Sequence, residues 1–124
     1  MCGFFCLQSY ELDTNEKLAT SKNAIKLLNS RGPDSNGVAL DDNNNLVLCH
    51  NRLSILDLSS TRHHPMKSLA VNLLITYNGK IYNHISIREE LFSCNNFNNW
   101  KGTSDTETLL QAIEIWGLEK TLKK

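Results

Sequence analysis

The sequence predicts an α+β layered domain. Short apolar runs typical of strands are separated by polar clusters, and amphipathic helical patterns come before and after them. The chain has 124 residues, which is enough for one domain with a core of its own but not for two.

The first half of the chain predicts a strand, a helix and a loop. Residues 3–8 form a short apolar run, which predicts a buried strand. Asp13-x-x-Glu16 has the form of a capping box, and apolar residues follow at helical spacing, so we predict a helix from about residue 15 to 29. Residues 30–35 include a Gly-Pro pair and predict a loop.

The middle of the chain predicts three strands. Residues 38–40 and 46–50 are apolar, and the polar run between them is long enough for a hairpin with an irregular turn. Residues 71–77 are a further strand candidate, which ends at an Asn-Gly pair.

Two more helices are predicted near the end of the chain. Ser86-x-x-Glu89 has capping-box form and opens a short helix. Ser104-x-x-Glu107 repeats that pattern, and the apolar stripe after it predicts a third helix closed by Gly117.

Composition excludes several classes of protein. Thirteen basic and thirteen acidic residues cancel, and no basic stripe indicates a nucleic-acid partner. No run approaches the ~20 apolar residues that span a bilayer, and no basic region precedes the N-terminal apolar run as in a secretory signal. The chain has four cysteines, Cys2, Cys6, Cys49 and Cys94, and none of them forms a C-x-x-C pair. This spacing argues against a zinc site or a disulfide framework and favours a location in the reducing cytoplasm.

The most informative residue is Cys2. If Met1 is removed, Cys2 carries a free α-amine beside its thiol, and such an amine has a reference pKa of ~7.7–8.0. The neutral amine can then take the thiol proton, so that one residue supplies nucleophile and base. Taken alone, a cysteine at this position is more often a small buried residue near a terminus.

Four other segments contain more polar chemistry than a scaffold needs, and each has a plain structural alternative. Arg31-Gly32-Pro33-Asp34 is interpreted first as a turn stapled by its charges. Arg52 follows a strand and suits a carboxylate, although a lone arginine is more often a solvated charge. Asn78-Gly79 forms either a turn or an oxyanion hole. Asp105 either caps a helix or binds an ammonium group.

The ordered set of these motifs resembles a known family. The set comprises Met1-Cys2-Gly3, Arg31-Gly32-Pro33-Asp34, His50-Asn51-Arg52-Leu53-Ser54-Ile55, Asn78-Gly79-Lys80-Ile81-Tyr82-Asn83-His84 and Gly102-Thr103-Ser104-Asp105-Thr106-Glu107. It is similar to the glutaminase domain of the glutamine-hydrolysing asparagine synthetases, a class II (N-terminal nucleophile) glutamine amidotransferase family. The resemblance covers residues 2–124.

The resemblance implies a four-layer αββα sandwich and a role for each matching residue. Cys2 would attack the side-chain amide of glutamine, and the Asn78 side chain with the Gly79 N–H would hold the oxyanion. Arg52 would bind the α-carboxylate of glutamine and Asp105 its α-ammonium. The residues lining the pocket beside Arg52 would be Leu53, Ser54, Ile55 and Leu56.

The chain departs from the family pattern at one position. Lys80 stands where the family usually has glutamate, an acid that helps to hold the substrate. A lysine that points into the pocket would repel the substrate ammonium, whereas one that turns outward would contribute only its backbone.

The chain is also shorter than the family's domain, so we expect the N-terminal part only and a sandwich incomplete at its C-terminus. No phosphate-binding glycine loop is present, so ATP and Mg²⁺ are expected only in the absent synthetase domain, and no cofactor or metal in this chain. The expected partners are glutamine and the synthetase region or its separate chain. Alone, the chain is expected to fold poorly, to form a homo-oligomer or to need that partner.

Two other functions stay open. A binding remnant would keep the pocket without catalysis, and Lys80 favours it. The glutaminase part of a sugar amidotransferase would use the same chemistry for another acceptor, because related domains also begin with Cys-Gly. Residues 52–55 and 81–83 favour the asparagine synthetase type.

Overall fold

The computed structural model describes residues 2–41, 43, 45–53, 64–70 and 73–124. The chain divides into two compact units. The first comprises Met1–Pro65 with Thr76–Asn78, and the second comprises Met66–Ile75 with Gly79–Lys124.

The described part of the first unit is a three-stranded antiparallel sheet with one helix. Its elements are β1 (Gly3–Gln8), α1 (Thr14–Leu27), β2 (Ser35–Asp41) and β3 (Leu46–Arg52), and the strand order is β1-β3-β2. The central strand β3 pairs with both neighbours, so its interior is removed from solvent. This confirms the predicted strands and places the apolar core of the unit along β3, at Val47, Leu48 and Cys49. The prediction that β1 is buried is wrong, because β1 lies at the edge of the sheet and only Gly3 of its residues is buried.

Strands β2 and β3 are both longer than predicted. The Ser35-Asn36-Gly37 start of β2 has low intrinsic strand preference, so it gave no signal in the sequence. In the sheet these three residues lie opposite the last three residues of β3, which complete the ladder. Pairing with β3 therefore overrides local preference and extends the sheet to Arg52.

Helix α1 begins with the capping box that the sequence predicts. Asp13 Oδ1 accepts a hydrogen bond from the Glu16 N–H at 2.8 Å, and Glu16 Oε2 accepts from the Asp13 N–H at 2.9 Å. The helix ends at Leu27, two residues before the predicted end. A turn replaces its last residues, because the Arg31 N–H bonds to the Leu28 carbonyl oxygen.

The segment after α1 is held close to β3. Asn51 is fully buried, and its side-chain amide donates to the carbonyl oxygens of Ile25 at 3.1 Å and Gly32 at 3.4 Å. A Cβ atom on Gly32 would lie 2.4 Å from the Asn51 backbone, so only glycine fits this approach. The sequence between α1 and β2 is therefore fixed against the strand that ends in Arg52.

The described residues of the second unit form two short strands and three helices. They are β4 (Met66–Lys67), β5 (Leu74–Ile75), α2 (His84–Asn95), α3 (Asp105–Trp116) and α4 (Leu118–Leu122). Helices α2 and α3 enclose a small core of Ile87, Leu91 and Ala112, against which aromatic residues pack. Strands β4 and β5 pair in antiparallel fashion.

The strand predicted over residues 71–77 is wrong in length. Only Leu74 and Ile75 pair in a ladder, because β4 offers two partner residues, Lys67 and Met66. Residues 71–72 lie outside the described part of the chain. Residues 76 and 77 are described but belong to no strand.

The start predicted for α2 is also wrong. The helix begins at His84, and the Ile87 N–H bonds to the Asn83 carbonyl oxygen, so Ser86 lies in the first turn rather than before it. Asn83 makes no side-chain cap. The capping pattern at Ser86 was therefore a coincidence of spacing in a helix that starts without such a cap.

Helix α3 begins where the sequence predicts, but its capping box does not form. Ser104 is the N-cap residue and makes no side-chain cap bond. The Glu107 carboxylate bonds instead to the N–H groups of Lys101 at 2.7 Å and Gly102 at 3.1 Å. Glu107 thus closes the preceding loop. Helix α3 ends at Gly117 as predicted, with φ of 83°, and α4 was not predicted.

These elements make the protein a mixed α+β fold. The predicted four-layer sandwich stays a prediction. Among the helices of the described residues, none has the length and apolar character needed to cross a membrane.

Candidate active site

The nucleophile candidate lies at one end of the sheet in the first unit. Cys2 directly precedes β1, and the β1–β3 ladder begins with Gly3 opposite Asn51. The Leu53 N–H, just after β3, donates to Cys2 Sγ at 3.4 Å, and the sulfur lies 3.9 Å from the Leu53 carbonyl oxygen. Strand pairing therefore holds the half-buried thiol against the residue that follows Arg52.

Asn78 lies beside Cys2. Its side-chain amide nitrogen donates to the Cys2 carbonyl oxygen at 3.2 Å, although 76 positions separate the two residues in sequence. A side-chain amide nitrogen carries two hydrogens, so this contact leaves a second donor next to the nucleophile. The structure thus brings together two of the three residues predicted to be catalytic.

A cavity of about 250 Å³ opens beside Cys2. Its lining residues come from the start of β1, the turn after α1 and the Asn78 segment: Cys2, Gly3, Phe4, Leu28, Arg31 and Asn78. The sequence pattern favours a turn in which Arg31 pairs with Asp34, and it does not predict the place of Arg31 in this cavity. The only signal for it was membership of the ordered motif set.

Arg52 is the last residue of β3 and pairs with Ser35. Its carbonyl oxygen accepts from the Asp34 N–H at 3.1 Å, and its side chain is half-buried. Arg52 is not among the described residues that line the cavity beside Cys2. The predicted pocket residues Ser54, Ile55 and Leu56 lie outside the described part of the chain.

A buried histidine anchors the segment that leads to Asn78. His50 is 2% exposed, stacks on His64 with ring centroids 4.7 Å apart, and its Nδ1 lies 2.9 Å from Thr76 Oγ1. Burial, followed by the charges of His64 and Arg52, lowers the pKa of His50 to about 4. His50 is therefore neutral at pH 7 and holds the chain two residues before Asn78. The sequence pattern did not indicate this role.

In the second unit, Asp105 is an ionised carboxylate at the start of α3. Its Oδ2 accepts from the Ile81 N–H and its Oδ1 from the Thr106 N–H, each at 3.0 Å. Burial acts to raise the pKa of Asp105, but these two N–H groups and Lys80 outweigh burial and lower it below its ordinary value.

Lys80 pairs with this carboxylate. Its Nζ lies 3.5 Å from Asp105 Oδ2, and the side chains are 56% and 12% exposed respectively. The sequence predicts a Lys80 side chain that either faces the substrate or turns outward, and not a pair with Asp105. Gly79, just before Lys80, is exposed.

Arg88 organises the loop that leads to Asp105. Its guanidinium donates to the carbonyl oxygens of Gly102 at 2.8 Å and Ser104 at 3.0 Å. It also pairs with Glu107 at 3.3 Å and lies 4.0 Å above the centre of the Trp100 ring. Because Glu107 binds the same loop, the two charges fix the approach to α3. No pattern in the sequence indicates this role of Arg88.

The described residues contain no group of three or more His, Cys, Asp or Glu side chains that could hold a metal ion.

The first unit thus brings a thiol, an amide donor and an arginine to one cavity. The family of glutamine amidotransferase domains matches residues 1–124, and the chain belongs to that family.

The relatives narrow this class further. The chain is 34% identical over 110 residues to a probable glutamine-hydrolysing asparagine synthetase of Schizosaccharomyces pombe, covering 89% of this chain and 19% of that protein. It is 30% identical over 119 residues to asparagine synthetase B (glutamine-hydrolysing) of Escherichia coli, covering 96% of this chain and 20% of that protein. The chain is also 32% identical over 103 residues to amidase chry2 of Gibberella zeae, covering 83% of this chain and 14% of that protein.

These matches confirm the resemblance to the glutaminase domain of asparagine synthetases. The chain spans about a fifth of the length of both asparagine synthetase relatives.

Proposed function

We propose that this chain hydrolyses glutamine to glutamate and ammonia with Cys2 as the nucleophile. The ammonia would serve ATP-dependent synthesis of asparagine from aspartate, carried out by a synthetase region in the same or a separate chain. One arrangement carries the proposal: Cys2 Sγ is held by the Leu53 N–H at a cavity, and Asn78 donates to Cys2 from the same side.

The chemistry needs Cys2 as the first residue, so Met1 is removed. The α-amine takes the thiol proton, and the thiolate attacks the side-chain amide carbon of glutamine. The Asn78 amide and the Gly79 N–H stabilise the oxyanion. The carbon–nitrogen bond breaks, the α-ammonium returns its proton to the departing ammonia, and a thioester remains. Water, deprotonated by the amine, then hydrolyses the thioester to glutamate and frees the thiol.

Substrate binding follows the charges of glutamine. Arg52 binds the α-carboxylate, for which a guanidinium supplies two parallel donors. Its position next to Leu53, whose N–H contacts Cys2 Sγ, supports this role. Asp105 binds the α-ammonium, and the lowered pKa that keeps it ionised supports that assignment. Leu53 contributes to the pocket beside Arg52.

The test is ammonia release by the chain with Cys2 as its first residue. We expect turnover of glutamine by this form and none when a stable extension precedes Cys2, because the extension converts the amine into an amide. Cys2→Ala should abolish turnover but keep glutamine binding. Cys6→Ala is the matched control and should leave the rate unchanged, because Cys6 is an exposed cysteine on β1, the strand that follows Cys2. Equal rates with and without the extension would refute the α-amine as base.

A second function is that of a binding remnant, which keeps the pocket without turning glutamine over, and one observation favours it over an efficient glutaminase. Lys80 already neutralises part of the Asp105 carboxylate at 3.5 Å, which weakens the proposed ammonium site. Calorimetric binding of glutamine by the unaltered chain with no ammonia release would establish that function. A third function, nitrogen transfer to a sugar, has no such support, since the relatives described above include two asparagine synthetases.

A further inference from the structure

The second unit supplies every polar contact described for the Asp105 carboxylate. Oδ1 accepts from the Thr106 N–H, and Oδ2 accepts from the Ile81 N–H and faces Lys80 Nζ at 3.5 Å. The backbone donors come from α3 and from the segment just before α2, so they are built into the unit. Lys80 is the only one of these three contacts that carries a full positive charge.

The Lys80 ammonium is chemically the same kind of group as the α-ammonium of a free amino acid. Both are cations that seek the oxygens of a carboxylate, and two cations at one carboxylate repel each other. A ligand whose α-nitrogen is acylated carries no such charge and would leave the Lys80–Asp105 pair intact. An acylated nitrogen also retains an N–H donor, which a carboxylate oxygen can accept.

We propose that Lys80 determines the substrate class of this site, so that glutamine compounds with an uncharged, acylated α-nitrogen are preferred over free glutamine. This inference rests on the proposed function, in which Asp105 receives the α-nitrogen of the substrate. N-acylation leaves the α-carboxylate and the side-chain amide unchanged, so the roles of Arg52 and Cys2 are the same for both ligands. Lys80 therefore selects the amide donor, and Cys2 acts on it.

The size of the effect follows from the exposure of the pair. The Lys80 side chain is 56% exposed and the Asp105 side chain 12% exposed, so solvent partly screens their attraction. Ion pairs of this kind change an equilibrium constant by up to roughly fivefold. We therefore expect a preference of that order, which a ratio of two affinities can resolve.

The experiment compares two ligands on the Cys2→Ala chain, which binds without turnover. Calorimetry measures the Kd of glutamine and of N-acetylglutamine, and the readout is the ratio of the two. We expect N-acetylglutamine to bind at least as tightly as glutamine. Adding Lys80→Gln should shift the ratio toward glutamine by roughly three- to fivefold, because the competing charge is lost.

Lys67→Gln is the matched control. Lys67 is an exposed lysine of the same unit, so this change removes the same net charge away from Asp105 and should leave the ratio unchanged. Tight glutamine binding with a ratio that does not respond to Lys80→Gln would overturn the inference and leave the proposed function standing. Binding of neither ligand would overturn both.

Discussion

The side-chain amide of Asn78 donates to the backbone carbonyl oxygen of Cys2 across 3.2 Å. The contact joins two residues at opposite ends of the first unit's sequence and sets an amide donor beside the thiol. In the proposed reaction the second hydrogen of that amide meets the oxyanion.

Replacing Asn78 should therefore reduce catalysis without unfolding the chain. We expect Asn78→Ala to lower kcat by about 10²–10³-fold, the effect of removing one oxyanion donor. Its melting temperature should change little, because Asn78 is exposed. Asn78→Asp tests the donor itself, since it keeps the shape but replaces the N–H₂ group with an acceptor. Rates within threefold of the parent for both variants would contradict the role of Asn78.

Changing Arg52 to lysine should weaken binding of glutamine. A lysine keeps the charge but cannot make two parallel hydrogen bonds to a carboxylate, so we expect KM to rise about tenfold with kcat little changed. Steady-state ammonia release measures both constants. Arg31→Lys is the comparison, because Arg31 lines the cavity beside Cys2. A raised KM in Arg31→Lys alone would show that Arg31 holds the carboxylate.

The stability of the protein should fall in mild acid because of His50. Its pKa is about 4 in the folded state, against an ordinary value of 6.5. Between these values the unfolded chain binds more protons, so the free energy of unfolding decreases as pH falls from 6.5 toward 4. The full contribution is about 3 kcal/mol. It is present above pH 6.5 and lost below pH 4.

Urea unfolding at pH 7 and pH 4.5 measures this effect. Other groups also titrate over this range, so the informative quantity is the difference between the parent and His50→Gln. The variant should lose less stability than the parent between the two pH values. An identical pH dependence in both proteins would show that His50 is not held neutral by the fold.

Arg88→Ala should destabilise the second unit. The guanidinium bonds to two carbonyl oxygens of the loop before α3 and pairs with Glu107, whose side chain is 7% exposed. Leaving that carboxylate without its cation costs on the order of 3 kcal/mol. Thermal melting measures the loss, and Glu89→Ala on an exposed position of the same helix is the control. Equal melting of Arg88→Ala and Glu89→Ala would contradict the role of Arg88.

Sequence patterns succeeded where all the relevant atoms lie within a few residues. The Asp13–Glu16 capping box formed as predicted, because its donors and acceptors are three positions apart. The same pattern failed at Ser86 and Ser104. In the box predicted at Ser104, the Glu107 carboxylate instead accepts hydrogen bonds from backbone N–H groups of the preceding loop and pairs with Arg88 on α2. Local spacing cannot describe such competition from another element.

The order of the motifs along the chain was sufficient to identify the family. Short local patterns were sufficient to predict β1, α1 and the position of α3. Those conclusions depend on residue types and short spacings, which the sequence contains directly. Three features required the folded backbone: Arg31 at the cavity beside Cys2, Asn78 on the Cys2 carbonyl, and Lys80 paired with Asp105. Each joins side chains or backbone groups 25 or more positions apart, and their distance depends on how strands pair and helices pack.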